Sequence, residues 1–515
     1  MYDQTTPLPR AAGAKDELRP LITASEMFPA LEEMLLDAKD EVLLAFRIFD
    51  ARTLLRSDRA LALGLTTWAD LLPHVAEKGV SIRLLLADFD PVFTADLHRD
   101  AWASAGRFAH RLRDCPQAEI ICALHDCSPA PLWQLVFNGP ISRRKKELEN
   151  RPPEMLTRPQ ASALQGHYRL RPVTLHQKFA VVDQTRAIIG GIDVDERRWD
   201  DSNHDQRPED TWHDVSMAVS GPVASDIRRH FADCWDRARG ECGTIFSAQV
   251  TDLPEAAPAA RPITTDVKAP SLLRTVSTHQ KGPIRFGPAT RVREHETAHL
   301  DLFAKARDHV YIESQFFRHM PLARALANRA AEIPDLELTL VLPTEPERII
   351  FGRSKGTDAR HAQALQLRCL SHLRKAFGDR LAVVSPVQPR PAPEGTPMPV
   401  EGSGIIYLHS KVTLIDDAIG IVGSANLNGR SLLWDTEASL MFHDPETIRD
   451  LRLRLARKWL GSARGDPANA DTWTSAARAA ADTEPEQRLS RVLPYPEGRN
   501  RRFARFVPVL PAEMF

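Results

Sequence analysis

The sequence predicts an α/β protein whose two halves share one site, and three observations predict it. Apolar runs of strand length alternate with helical patterns along the chain, as buried sheets covered by helices require. A short pattern, His-x-Lys followed by four residues and Asp, occurs twice. The copies are His176, Lys178 and Asp183 in LHQKFAVVDQTRAIIGGIDV, and His409, Lys411 and Asp416 in LHSKVTLIDDAIGIVGSANL. Both share the same flanks, an apolar strand-like run closed by a small-residue turn. A single copy carries little weight, but a matched pair makes coincidence a poor explanation.

In the first half, EVLLAFRIF (41–49) reads as a buried strand, TWADLLPHVAEKG (67–79) as a helix stopped at Gly79, and SIRLLLADF (81–89) as a second strand. The motif strand is predicted over 174–183, with further strands over 187–192 and 213–221. A helix over 222–238 carries Ile227, Phe231 and Trp235 at helical spacing. The second half repeats the order: a helix over 297–308, strands over 309–317 and 336–343, the motif strand over 405–416, strands over 419–424 and 437–443, and a helix over 446–460. Residues 1–249 and 284–463 are therefore read as two lobes. The Pro-, Ala- and Thr-rich stretch 250–283 is read as a linker and 464–515 as a loop-like tail, whose RRFARF (501–506) is expected to pack along the surface, with membrane contact as the alternative. The Pro- and Gly-rich segment 385–404 reads as an irregular loop, either disordered or a lid over the site.

At 515 residues with 43% hydrophobic and 26% charged content, the chain has ample material for a soluble core. A formal net charge of −1 argues against a protein that coats nucleic acid by bulk attraction. The run Arg143-Arg144-Lys145-Lys146 reads as a solvated loop, with contact to an anionic headgroup as the alternative. Six cysteines show neither Cys-x-x-Cys nor a zinc-like Cys/His spacing, so neither a metal nor a cofactor is expected, and the thiols suit a reducing compartment. The first residues lack the apolar core of a signal peptide, and no run of about 18 uncharged apolar residues occurs. A cytoplasmic or peripheral-membrane protein is expected. Export without a cleavable signal stays open.

Residues two apart on a strand share a face, so each His and Lys pair is expected to project into one pocket. Two ammonium groups and two imidazoles around one point suit a phosphodiester. The lysines stabilise the charge that grows on phosphoryl oxygens, one imidazole attacks phosphorus, and the other protonates the leaving oxygen. That division needs one neutral and one protonated ring, which histidine provides near neutral pH. Asp214 and Glu437 follow their histidines by 214 − 176 = 38 and 437 − 409 = 28 residues and are expected to orient the rings. The turns Gly190-Gly191-Ile-Asp193 and Gly423-Ser424-Ala-Asn426 are expected to approach the substrate, with Asp193, Ser424 and Asn426 as binding residues. Asp183 and Asp416 belong to the motif, yet an Asp five residues beyond the Lys points to the other strand face, which favours a structural role as much as a catalytic one.

At these residues the chain resembles the phospholipase D superfamily, whose signature is this HKD repeat. GGIDVDERRWD (190–200), YIESQFF (311–317), GSANLNGRSLLWDTEASL (423–440) and SLLRTVS (271–277) are similar to segments of eukaryotic-type phospholipase D enzymes and their bacterial relatives. Ser314 stands where the family has Asn. The resemblance implies two pseudo-twofold-related lobes, each a mixed sheet flanked by helices, with one active site between them and a phosphohistidine intermediate. It further implies that His176 is the nucleophile and His409 the acid, that Lys178, Lys411 and Asn426 bind phosphate, and that Asp214 and Glu437 support the histidines. The expected substrate is a glycerophospholipid at a membrane or micelle surface, with water or an alcohol as acceptor, no nucleic-acid partner and a monomeric state. A cardiolipin synthase-like phosphatidyl transferase, a nuclease or other phosphodiesterase, and a non-catalytic binding module are the competing readings.

Overall fold

The computed structural model describes residues 17–515 apart from 126, 249, 252, 254–268, 281, 283, 353 and 354. The first sheet comprises β1 (Glu17–Ile22), β2 (Glu41–Phe46), β3 (Ser81–Ala87), β4 (Ala118–Ala123), β5 (Phe179–Val182), β6 (Arg186–Gly190), β7 (Val215–Ser220) and β8 (Gly243–Ile245). Their spatial order is β1-β7-β6-β5-β2-β3-β4-β8. The second comprises β9 (Ser271–Thr278), β10 (Ala289–Arg293), β11 (His309–Ser314), β12 (Glu337–Val341), β13 (Leu381–Pro391), β14 (Ser403–Ile405), β15 (Lys411–Ile415), β16 (Ile419–Gly423), β17 (Glu437–Phe442) and β18 (Val492–Pro494). Its order is β10-β9-β17-β16-β15-β11-β12-β13-β14, with β18 also paired to β13.

The run β7-β6-β5-β2-β3-β4 matches β17-β16-β15-β11-β12-β13 strand for strand, including which pairs are parallel. The chain is therefore α/β, with two mixed sheets of one topology, as the duplicated motif predicts.

Alternation along the strands feeds two kinds of core. Val42, Leu44, Phe46 and Ala180 face the outer helices of the first lobe. Leu43, Ala45, Phe179 and Val181 join a core shared with Tyr311, Val412 and Leu414 of the second lobe. The helices Pro222–Arg237 and Pro445–Leu460 fill this seam with Ile227, Phe231 and Trp235 from one and Leu451, Leu455 and Trp459 from the other. Burying each such side chain contributes about 1.5–3 kcal/mol. The lobes are thus joined by a common apolar core.

Several expectations change. The motif strands are shorter than predicted, because their leading residues leave their own sheet to bridge the other lobe at Leu175–Thr436 and His213–Leu408. Much of 385–404 continues β13 or forms β14. Its prolines are tolerated where β13 meets only the short strands β14 and β18, and Gln388 ties it to the first lobe through the carbonyls of His204 and Gln206. The segment after 463 forms the helices Ala470–Ala481 and Glu497–Phe503 and strand β18, and Trp473 is buried in the shared core. In RRFARF, Phe503 and Phe506 lie under the guanidinium groups of Arg360 and Arg368.

The basic run 143–146 lies on the helix Asn138–Glu149 rather than in a loop. Strand β9 falls inside the expected linker. Most of the remainder of 250–283, and residues 1–16, lie outside the described residues. No helix among the described residues is long and apolar enough to cross a membrane.

Candidate active site

Two short parallel bridges bring the motifs together. His176 N donates to Thr436 O at 2.8 Å, and Thr436 N to Thr174 O at 3.1 Å. In the other lobe His409 N donates to His213 O at 2.8 Å, and His213 N to Tyr407 O at 2.9 Å. Each motif is thereby pinned to the residue just before the other lobe's carboxylate. The side chains follow the backbone. His176 Nδ1 lies 2.9 and 3.0 Å from the two Glu437 oxygens, and His409 Nδ1 lies 2.6 Å from Asp214 Oδ2. Each imidazole is braced from the opposite lobe.

The small-residue turns serve these braces. A Cβ at Gly191 would sit 2.1 Å from Asp214 Oδ1, so the glycine makes room for the carboxylate rather than for a ligand. At the equivalent place in the second lobe, Ser424 Oγ donates to Glu437 Oε2 at 2.5 Å. Ser424 therefore faces the brace and not the cleft. Asp193 is likewise buried behind the site, 3.8 Å from Lys178 Nζ and accepting from Ile48 N at 2.8 Å. Of the three expected binding residues only Asn426 lines the cleft, where its buried Oδ1 has no partner among the described residues.

Lys178 and Lys411 are buried beside the histidines. Lys178 Nζ donates to His176 O at 2.5 Å, while Lys411 Nζ donates to His409 O and lies 2.8 and 3.1 Å from the ring nitrogens. Burial, and then the ammonium groups, hold both imidazoles well below their ordinary pKa, which favours the neutral rings. Burial also lowers Lys178, and takes Lys411 down to about 7. It pushes Asp214 up to about 7 and Glu437 up to about 8, against the pull of the lysines. This many buried cations around one point call for an anion.

The cleft in front of the histidines is a cavity of ≈ 300 Å³. Arg47, Arg198, Arg318, Arg348 and Arg430 line it, and Phe316, Met514 and Phe515 add apolar surface. Sequence reasoning missed these arginines. Arg47 carried a signal, a charge interrupting the buried run EVLLAFRIF, and Arg198 and Arg430 lie inside the quoted segments. The near-zero net charge concealed a strongly cationic cleft. Met514 and Phe515 carried no signal at all.

Asp183 and Asp416 are not in the cleft, which corrects their inclusion with the catalytic group. Both close the hairpin turn after the motif strand with positive φ (50° and 52°), a conformation that Asp tolerates better than most residues. Asp183 accepts from the backbone N–H groups of Lys39, Asp40 and Glu41, and Asp416 from those of Arg307, Asp308 and His309. Each holds the start of the neighbouring strand, β2 or β11, in register.

Beneath the second motif lies a buried network that sequence reasoning did not anticipate. Glu313 accepts from His213 Nε2 at 2.9 Å and from Ser410 Oγ, Tyr311 Oη and Trp459 Nε1, each at 2.6 Å. His213 adjoins Asp214, and Ser410 lies between His409 and Lys411. Despite its burial Glu313 is held down to about 2, because His213 and these donors favour the ionised carboxylate. Among the described residues no group of three or more His, Cys, Asp or Glu is arranged to hold a metal ion.

Residues 300–459 match a family model described as cardiolipin synthase, PLD-like domain. Phospholipase D1 of Saccharomyces cerevisiae is 24% identical over 375 residues, covering 56% of this chain and 22% of that protein. Phospholipase D1 of Homo sapiens is 25% identical over 278 residues, covering 47% and 25%. Cardiolipin synthase A of Pseudomonas fluorescens is 26% identical over 271 residues, covering 53% and 44%. The matched stretch thus spans less than half the length of each relative. Among solved structures, the phosphatidylserine synthase of Haemophilus influenzae Rd KW20 superposes with a TM-score of 0.53 at 12% identity, over 86% of this chain and 85% of that one. That likeness is one of fold.

Proposed function

We propose, from the premise that the chain belongs to the phospholipase D superfamily, that it is a phosphodiesterase that hydrolyses or transphosphatidylates glycerophospholipids. The carrying observation is the pair of imidazoles on one cationic cleft, each braced at Nδ1 by the other lobe's carboxylate. With Nδ1 engaged, Nε2 is the nitrogen left for chemistry. In the first step His176 Nε2 attacks phosphorus, forming a P–N bond as the P–O bond to the headgroup breaks, and His409 gives its proton to the leaving oxygen. In the second step water or an alcohol returns a proton to His409 while its oxygen displaces the imidazole.

The ligand-free electrostatics support this order of events. A neutral ring is the nucleophilic form, and burial with the ammonium groups keeps His176 neutral. The negative charge of a bound phosphodiester opposes those cations and raises the pKa of His409, which can then carry the required proton. Lys178, Lys411, Asn426 and the arginines stabilise charge on the phosphoryl oxygens. Asp214 and Glu437 act through the rings. Asp183 and Asp416 are given no chemical role.

The family model and the Pseudomonas relative favour a second reading, a phosphatidyl transferase whose acceptor is another lipid. We place the protein in the cytoplasm or at a membrane or micelle surface, acting as a monomer, with a first lobe over 1–249 and a second lobe that opens at β9 rather than at 284 and takes in β18 of the segment 464–515. Incubation with mixed glycerophospholipids plus a primary alcohol tests the proposal by mass spectrometry. Headgroup release with formation of phosphatidyl-alcohol is expected. Lipid–lipid transfer without either product would select the transferase, and cleavage of DNA with no lipid product would select the nuclease.

A further inference from the structure

Away from the cleft, an open cavity of ≈ 390 Å³ lies on the seam between the lobes. Ser202 of the first lobe lines it together with Arg454, Arg457 and Lys458 of the second and Arg491 of the C-terminal segment. Two of these cations are fixed from outside. Arg454 donates to both Glu26 oxygens at 2.6 and 2.8 Å, and Arg491 to the carbonyls of Ser202 and Asn203 at 3.1 and 3.0 Å. Arg457 is exposed on the helix Pro445–Leu460. Lys458 differs from all three: its Nζ is buried and has no hydrogen-bond partner among the described residues.

The anionic groups near Lys458 are already occupied. Glu313 accepts from four donors, and Asp200 accepts from His204 at 2.5 Å and from Trp212 N at 2.7 Å. Burial pushes the Lys458 ammonium down to about 7, although Glu313 and Asp200 oppose the shift. A buried ammonium with no acceptor is costly. Rotated toward the cavity that its side chain lines, the ammonium would find both an acceptor and a counter-charge in an oxyanion there. Four basic side chains against the carboxylates of Glu26, Glu313 and Asp200 leave 4 − 3 = 1 positive charge, and the exposed Arg457 carries no carboxylate partner of its own among the described residues, which suits an oxyanion.

We propose that this seam cavity is a second anion site, separate from the cleft, which takes a phosphate-class ligand, either free phosphate or a lipid phosphate headgroup. Arg457 and Lys458 donate to it, while Arg454 and Arg491 supply fixed flanking charge. Because its lining comes from both lobes, an occupant bridges them.

Titration calorimetry of the full chain with inorganic phosphate counts the sites. Two per chain are expected in the wild type, one in the cleft and one at the seam, and one in the R457A/K458M double variant. That variant should retain hydrolysis of a soluble short-chain phospholipid, which reports an intact cleft. Arg457→Ala alone alters only an exposed side chain, and should weaken the seam affinity about tenfold if the double variant fails to fold. One phosphate per wild-type chain, or two that survive in both variants, overturns the proposal. Flotation with phosphatidylcholine vesicles, with and without phosphatidic acid, identifies the source. Binding lost with the seam variants assigns the site to a headgroup, and vesicle binding unchanged beside a lost phosphate site assigns it to free phosphate.

Discussion

Replacing Asp214 by Asn keeps the size of the His409 brace and removes its charge. The Asp214–His409 contact is 2.6 Å long and fully buried, so solvent screens it little. A hydrogen bond to a charged group in such surroundings contributes about 1.5–3 kcal/mol. At about 1.4 kcal/mol per tenfold, that lowers the stability of the His409 imidazolium by about 10- to 150-fold. If His409 is the general acid, turnover of a phospholipid, whose leaving alkoxide needs the proton, should fall by that factor. A p-nitrophenyl phosphodiester releases a phenolate that needs little protonation, so its cleavage should fall only a few-fold. Glu437→Gln disturbs the His176 side, and should impair both substrates alike. Steady-state kcat/KM for the two substrates in both variants gives the comparison. Equal losses in D214N with a spared aryl substrate in E437Q would refute the crossed bracing as the basis of the two roles.

Four further outcomes are expected. Phosphate binding should take up protons near pH 7, since the imidazoles and Lys411 are depressed in the ligand-free site and an anion raises them; calorimetry in buffers of different ionisation enthalpy detects it, and zero or negative uptake contradicts the assigned electrostatics. On the same basis kcat/KM should begin to fall as pH rises through about 7, where free Lys411 loses its proton, while the corresponding limb of kcat lies at higher pH, so coincident limbs in the two profiles would count against it. Asp183→Ala or Asp416→Ala should cost about 2 kcal/mol of stability, seen as a lower denaturation midpoint, and leave kcat nearly unchanged, because each carboxylate caps backbone N–H groups remote from the cleft. Activity on micellar substrate should survive EDTA, since lysines and arginines supply the stabilising charge, and complete loss restored by one divalent ion would reveal a metal dependence.

The duplicated motif makes two lobes legible, because a repeated strand, turn and strand pattern with the same apolar alternation can fold only into the same local sheet twice. Strands β2, β3, β6, β12, β16 and β17 lie within a few residues of their sequence-based limits, since alternation and breakers are local properties. The helices Ala470–Ala481 and Glu497–Phe503 escaped notice because their Ala- and Arg-rich patterns gain an apolar face only through partners elsewhere, as Trp473 does in the shared core. The arginine-lined cleft escaped for a related reason. Net charge sums over the whole surface, whereas Arg47, Arg198, Arg318 and Arg430 converge from loops and short helices far apart in sequence.

By itself the sequence determined the chemistry available: two imidazoles, two lysines and two carboxylates, in that order in each half, with a turn-forming Asp after each motif. Which carboxylate serves which histidine was decided only in the tertiary structure. The reason lies in the backbone bridges Leu175–Thr436 and His213–Leu408, which lead each motif out of its own sheet and against the other lobe. Hydrogen bonds between residues 195 and 261 positions apart leave no periodic trace in a chain, so only the docking of the two sheets through their common core reveals them.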